Sequence, residues 1–231
     1  MRVLVQQPQF LAWPGYFAKL ASADVVIDYM GVKFNKEGHG HRVKMAGSWC
    51  TVPLWKEANK QWIKDVLVRD PTYLEKIARR IKETYGSKRH RYAGRVDSLV
   101  EYLEWRSTFQ EVALADVSRD LRKLVCEELG MNPPIWIADT DVRQGTKLSK
   151  LRDCLHKHVF DLYEAGVYSG KDFVYLTSRC EYLAAAEFEM EMPVLKTEMP
   201  DESVLSLLVN EDDPKAIIES MYEWVPYENT V

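Results

Sequence analysis

Several protein classes are excluded by what this sequence does not contain. No apolar stretch approaches the roughly 18 residues of a membrane-spanning helix. The opening MRVLVQQPQF has no long apolar core of a secretory leader, so the expected location is the cytoplasm. Cysteine is sparse and scattered: Cys50, Cys126, Cys154 and Cys180 form no C-x-x-C pair. A disulfide framework or a four-cysteine zinc site is therefore not expected, and reduced, mostly buried thiols are. A basic excess is missing too. The formal net charge is -4, which argues against a dedicated duplex-DNA binder while leaving a local basic groove open. There is no G-x-S-x-G nucleophile elbow, no internal repeat and no low-complexity linker.

What is present reads as an α/β protein. The expectation is a single domain, residues 1–231, with a small mixed or parallel sheet flanked by helices and a helical middle segment. RVLVQ (2–6) reads as a buried strand, 15–23 as a helix with Pro14 at its first turn, and VVIDYM as a second strand. This strand–loop–helix–strand order is the local signal of parallel pairing. Polar residues 33–48 read as a long loop with room for a short hairpin, and strand-like runs return at 49–54 and 63–68. Asp70-Pro71-Thr72 opens a helix to about Tyr85, and helices are expected over 95–104 and 108–129, the latter ending at Gly130. A strand at 135–138, a helix at 147–164, a strand-turn segment at 167–176, a helix at 177–187, a strand at 189–195 and helices at 201–210 and 214–223 complete the reading.

Four constellations have the residue types for binding or chemistry. Gln7-Pro8-x-Phe10-x-x-Trp13-x-Gly15-Tyr16 lies between the first strand and helix, at a carboxyl strand end where ligands of open α/β sheets bind. Gln7 suits a hydrogen bond to a ligand, Trp13 and Tyr16 suit stacking, and Gly15 permits close backbone approach. The same aromatics equally suit a core. Lys36-x-x-His39-x-His41-Arg42-x-Lys44 combines fixed positive charge with imidazoles, which suits an anion and gives His41 as a base candidate; a solvated loop is the alternative. No third metal ligand accompanies the two histidines, so no metal is expected. The basic run from Lys76 to Arg95 could steer a polyanion, or be a solvated helix face. Ser169-Gly170-Lys171 could present backbone N–H groups and a cation to an oxyanion, or be a plain turn.

These pieces together resemble the WbqC-like protein family. The opening resembles its strand, Gln-Pro, aromatic, Trp-x-Gly-Tyr-Phe, Lys and Ala-Asp pattern, through Gln7, Pro8, Phe10, Trp13, Gly15, Tyr16, Phe17, Lys19, Ala23 and Asp24. VKFNKEGHGHRVKM is similar to the family's next region through Phe34, Lys36 and Arg42, and WCTVPL through Trp49, Thr51, Val52 and Pro53. YSGKDFVYL and SVLSLLVNE (203–211) resemble its later segments. The family's acidic pair before the Val-Gln-Phe run is replaced here by Met30 and Gly31, with Asp28 two positions earlier. Lys33, His41 and Ser206 also depart from the pattern. If that acidic pair holds a cation or acts as a base, its role is lost here or moves to Asp24 or Asp28.

The resemblance implies association with bacterial surface-polysaccharide and O-antigen gene sets, and transfer of an acyl or aminoacyl group to an amino- or nucleotide-linked sugar. Divergent members extend to phage-encoded settings, so modification of a nucleotide or nucleic-acid base is the alternative, with residues 76–95 as the contact surface. A non-catalytic assembly partner is the third reading. The expected partner is an anionic or nucleotide-linked small molecule, a homo-oligomer is compatible with the sequence, and no cofactor is named by it.

Overall fold

The computed structural model describes residues 2–131, 134–164, 174–176, 189–195 and 203–226. The backbone is mixed α/β. Strand β1 (Arg2–Gln6), helix α1 (Pro14–Ala21) and strand β2 (Val25–Tyr29) form the expected opening unit, with β1 and β2 parallel. Helix α1 starts with proline at its first turn, where its missing N–H costs nothing, and buries almost every side chain it has. A two-stranded antiparallel hairpin follows, β3 (Arg42–Met45) with β4 (Ser48–Thr51), so the polar loop does contain a hairpin. Its two-residue turn is Ala46-Gly47, both left-handed at φ 48° and 74°, as a tightly twisted hairpin requires.

Residues 63–68 are not a strand, contrary to expectation. Ile63–Asp65 form a 3-10 turn, and beyond it Leu67 and Val68 make only isolated bridges, to Ala113 and Leu54. The apolar groups there are buried against the core rather than laddered in a sheet. A helical layer follows: α2 (Tyr73–Tyr85), α3 (Asp97–Ser107) and α4 (Leu114–Glu128). Helix α2 buries Leu74, Ile77, Ala78, Ile81 and Tyr85, a stripe at helical spacing in which each large aliphatic side chain contributes roughly 1.5–3 kcal/mol. Helix α4 ends before Gly130, whose φ of 61° is the left-handed conformation of a helix stop.

Strand β5 (Ile135–Asp139), helix α5 (Lys147–Glu164), β6 (Val174–Leu176) and β7 (Glu189–Leu195) follow. Helix α6 (Leu205–Asn210) and helix α7 (Pro214–Ser220) are shorter than the periodicity suggests, and a last strand, β8 (Tyr222–Pro226), stands where helix was expected to run on. The sheet order is β5-β2-β1-β6-β7-β8; the first five strands are parallel and β8 closes the edge antiparallel to β7. The chain thus builds outward from β1 in one direction through β2 and β5, then in the other through β6 and β7. That reversal beside β1 is the switch point at which ligands of open α/β sheets bind, and the β1–α1 loop leaves the sheet there.

Candidate functional site at the carboxyl edge of the sheet

Strand β2 carries its one charged residue at a buried position. Asp28 is 0% exposed among Val25, Val26 and Ile27. A lone carboxylate so placed would be prohibitively costly, and helix α4 supplies the compensation. Arg119 and Arg122 are three residues apart and share a helix face. Arg122 donates from Nη1 to Asp28 Oδ1 at 2.6 Å and from Nη2 to Oδ2 at 2.8 Å. Arg119 Nε donates to Oδ2 at 2.9 Å. The Arg122 guanidinium also lies 3.9 Å over the Trp136 ring of β5 and donates to the Tyr16 hydroxyl at 3.1 Å. Tyr16 in turn donates to the Gln7 carbonyl at 3.4 Å. Burial pushes the Tyr16 phenol up to about 12, so it remains a protonated donor near neutral pH. One network therefore ties the loop after β1 to α1, β2, α4 and β5.

The two guanidinium groups share one buried carboxylate, and the second carboxylate within reach of them, Asp116, lies on the surface. Arg122 is sealed in at 2% side-chain exposure, but Arg119 is 23% exposed, and its Nη1 has only a loose 4.0 Å approach to Asp116. Arg119 is thus the member of the pair open to an incoming anion.

A second buried carboxylate ends the neighbouring strand. Asp139 on β5 receives Arg143 Nη1 at 2.6 Å, Arg143 Nη2 at 2.9 Å and His158 Nε2 at 2.9 Å. Burial alone would raise its pKa; the bonds from His158 and Arg143 outweigh that and hold the carboxyl well below the usual range. Cys154 and His158, four residues apart on α5, place their ligand atoms with Asp139 within 4.8 Å of one another, a donor set of the kind zinc uses. Both Asp139 oxygens already hold Arg143, so a divalent ion would first have to displace a guanidinium. Burial raises the Cys154 thiol far above neutrality, which makes it a poor nucleophile.

The residues singled out in the sequence fall in different places. Gln7, Tyr16 and Asp28 meet in the network above, with Gln7 exposed and Tyr16 buried, so Tyr16 serves through its hydroxyl rather than as an open stacking face. Trp13 is half-buried against the core at the start of α1, and Gly15 is buried in that helix's first turn. Asp24 sits at the other end of β2, where its carboxylate accepts the Arg2 backbone N–H at 2.7 Å. At about 3.3 Å per strand residue it stands roughly 13 Å from Asp28 and does not join it. Ser169, Gly170 and Lys171 lie outside the described residues, as does the helix expected at 177–187.

The loop between β2 and β3 packs beside the β1–α1 loop, since the Phe10 N–H donates to the Gly40 carbonyl at 3.3 Å. Within it His41 is buried edge-on against Phe34, and its Nδ1 has no hydrogen-bond partner among the described residues. Burial first, then the Arg42 and Lys36 charges, lower its pKa to about 4. His41 is therefore neutral at pH 7. Lys36 is held by its backbone N–H on Asn59 Oδ1 at 2.7 Å, and Arg42 donates to the Glu37 carbonyl at 2.6 Å. The β1–α1 loop carries two further signs of constraint: Leu11 is buried in the left-handed region at φ 42°, and the Gln9 Oε1 is buried without a partner. Strain of that kind costs about 1–3 kcal/mol and persists only where the surroundings impose it.

Positions 30 and 31, where the resemblance expects an acidic pair, are filled differently. A Cβ on Gly31 would lie 1.9 Å from the Asp141 carbonyl oxygen, so no side chain fits there without moving backbone. Met30 is buried and donates its N–H to the Asp139 carbonyl at 2.8 Å. Carboxylates nonetheless stand beside this turn, as Asp28 before it and Asp139 and Asp141 across from it. Sequence reading missed Arg119, Arg122, Asp139, Arg143 and His158. Their signals were the R-x-x-R and C-x-x-x-H spacings on single helices and the two aspartates near the ends of apolar strands.

No curated protein and no solved structure matches the chain. A family model does, over residues 7–189, and that range stops short of the 203–211 segment in which the sequence also resembled the family. The matched span runs from Gln7 through the hairpin, the Arg119–Arg122 helix and the Asp139 strand to the start of β7, well over half of the residues, so the chain belongs to the WbqC-like protein family.

Proposed function

We propose that this protein is a transferase that binds an anionic, nucleotide-linked or amino sugar at the carboxyl edge of its sheet and passes an acyl or aminoacyl group to it. The observation that carries the reading is the arginine cluster at Asp28. Arg119 lies beside the switch point of the sheet, partly open, with its Nη1 held only by the surface carboxylate of Asp116 at 4.0 Å. A phosphate or carboxylate on the sugar would pair with Arg119 as a charge-assisted hydrogen bond. The attacking amine or hydroxyl would form its new bond to the donor's carbonyl carbon, lose its proton and expel the donor's leaving group. Of the three acid/base candidates, Asp28 is saturated by arginines and Asp24 faces the opposite edge. His41 is left: neutral, and buried with its Nδ1 unpartnered among the described residues, so it would need the loop to move to reach a substrate. The polysaccharide association of the family supports the sugar as acceptor.

The nucleic-acid alternative through residues 76–95 has less support. Arg80 donates to the Met45, Ser48 and Trp49 carbonyls, Arg95 to those of Leu208 and Glu211, and Arg91 pairs with Asp212. Much of that basic run thus holds the fold together. The test is direct: purified protein is incubated with nucleotide-sugars and acyl or aminoacyl donors, and products are read by mass. An acylated sugar that disappears in Arg119→Gln supports the reading. No product with any pair, and no shift in thermal midpoint with any sugar, counts against it.

A further inference from the structure

The β3–β4 hairpin has a second collection of cations around an exposed indole. Alternation along the strands sorts its residues: Val43, Met45 and Cys50 are buried, while Arg42, Lys44 and Trp49 lie towards solvent. Lys44 and Trp49 are direct cross-strand partners, and Arg42 is the diagonal neighbour. Trp49 is 44% exposed. The Arg42 guanidinium lies 4.8 Å and the Lys44 ammonium 5.6 Å from its ring centroid, and the His39 ring stands 5.9 Å away. Among the described residues no carboxylate pairs with Arg42; its one hydrogen bond goes to the Glu37 carbonyl, and its Nε is unpartnered. The platform is rigid, because Arg80 of α2 binds three carbonyls of the hairpin turn, that of Trp49 included.

We propose that this face of the hairpin is a nucleotide-binding site, in which a base stacks on Trp49 and the attached phosphate is held by Arg42 and Lys44. The flat indole supplies the stacking partner, and the cations within about one ring width supply the counter-charge. A bare anion would need no indole, and a neutral sugar would need no guanidinium. The shared chemistry has two sources, a free nucleotide or one unit of a single strand. The site goes beyond the transfer reaction above, since it stands on the hairpin alone.

Calorimetric titration of the full chain with uridine monophosphate, uridine, inorganic phosphate and an oligothymidylate strand tests the site. Uridine monophosphate is expected to bind more tightly than uridine or phosphate. Trp49→Ala weakens it about tenfold or more and Trp49→Phe only a few-fold, as loss and retention of stacking require. Arg42→Gln brings the monophosphate down to the level of uridine. A large gain for oligothymidylate that fades with salt assigns the site to a strand; no gain assigns it to a free nucleotide. Absence of binding by both, or binding indifferent to Trp49→Ala and Arg42→Gln, overturns the proposal. Binding that survives in Trp49→Ala but vanishes in Arg119→Gln also overturns it, by moving the nucleotide to the sheet edge. Nucleotide binding without any sugar acylation sinks the transferase reading alone.

Discussion

Arg122 and Arg42 each lie over a tryptophan, and their surroundings differ completely. Arg122 covers Trp136 at 3.9 Å, is sealed from solvent and donates through its two Nη atoms to Asp28 and Tyr16. Arg42 covers Trp49 at 4.8 Å, is half-buried on the outer face of the hairpin and, among the described residues, donates to a carbonyl rather than a carboxylate. The same pair of side chains is a structural clamp where a buried carboxylate demands compensation, and an open recognition surface where none does. Cation–π geometry by itself says little about role; the partner of the remaining donors decides it. Arg119 stands between the two cases, bound to Asp28 through Nε, loosely paired with Asp116 through Nη1 at 4.0 Å, and 23% exposed.

The largest expected effect comes from breaking the closed member of the comparison. Asp28→Ala leaves Arg122 buried and unpaired, and loss of about 3–5 kcal/mol in a urea titration is expected. A loss below about 1 kcal/mol would show that the cluster is not the clamp described. Next in size is the pH response of the neutral imidazole in the loop beside it. The unfolded chain binds a proton at His41 near its ordinary value of about 6.5, the folded chain only near 4. Below pH 6.5 the unfolded state therefore takes up the proton first, so stability falls as pH falls through that window, by about 3 kcal/mol at full extent. Unfolding midpoints from pH 7.5 down to pH 4.5 are expected to decline less steeply for His41→Gln than for the unsubstituted chain. Equal slopes would place the proton elsewhere.

A smaller effect is expected at the turn between the aspartates. Gly31→Ala forces a Cβ against the Asp141 carbonyl and is expected to cost about 1–3 kcal/mol, as overpacking does. A neutral result in the same urea assay would mean that the 139–141 turn yields freely. The smallest effect belongs to the open member: Arg42→Gln is expected to change stability by within about 0.5 kcal/mol. A loss of several kcal/mol there would turn Arg42 into a second clamp and erase the comparison.

Much of the framework was legible in the sequence because it rests on local rules. Strands β1 and β7, helix α5 and the stop at Gly130 follow from apolar runs, caps and a left-handed glycine. Elements governed by remote pairing were not. Tyr222 and Glu223 read as the tail of a helix until β7 offers a ladder to Tyr222–Pro226, and 63–68 reads as a strand although its Leu67 and Val68 make only isolated bridges among the described residues. The candidate site divides in the same way. Gln7, Tyr16 and Asp28 could be named from the β1–α1 and β2 segments. Arg122 could not, because it reaches Asp28 across 94 residues of sequence and from a helix whose other buried residues are mostly apolar. Asp24 and Asp28 looked equivalent in the sequence, and only the direction of β2 separates them, placing one at each edge of the sheet.

In the proposed function Arg119, on its buried carboxylate, is the anion-binding group of the sheet edge. Calorimetric titration of a nucleotide-linked sugar into the unsubstituted chain and into Arg119→Gln tests it most directly, with urea unfolding as the control for the intact Arg122–Asp28 pair. Binding by the unsubstituted chain is expected to weaken about tenfold or more in Arg119→Gln, in line with the loss of one charge-assisted contact, while the fold is retained. Equal affinity in the two proteins, with both folded, would contradict it.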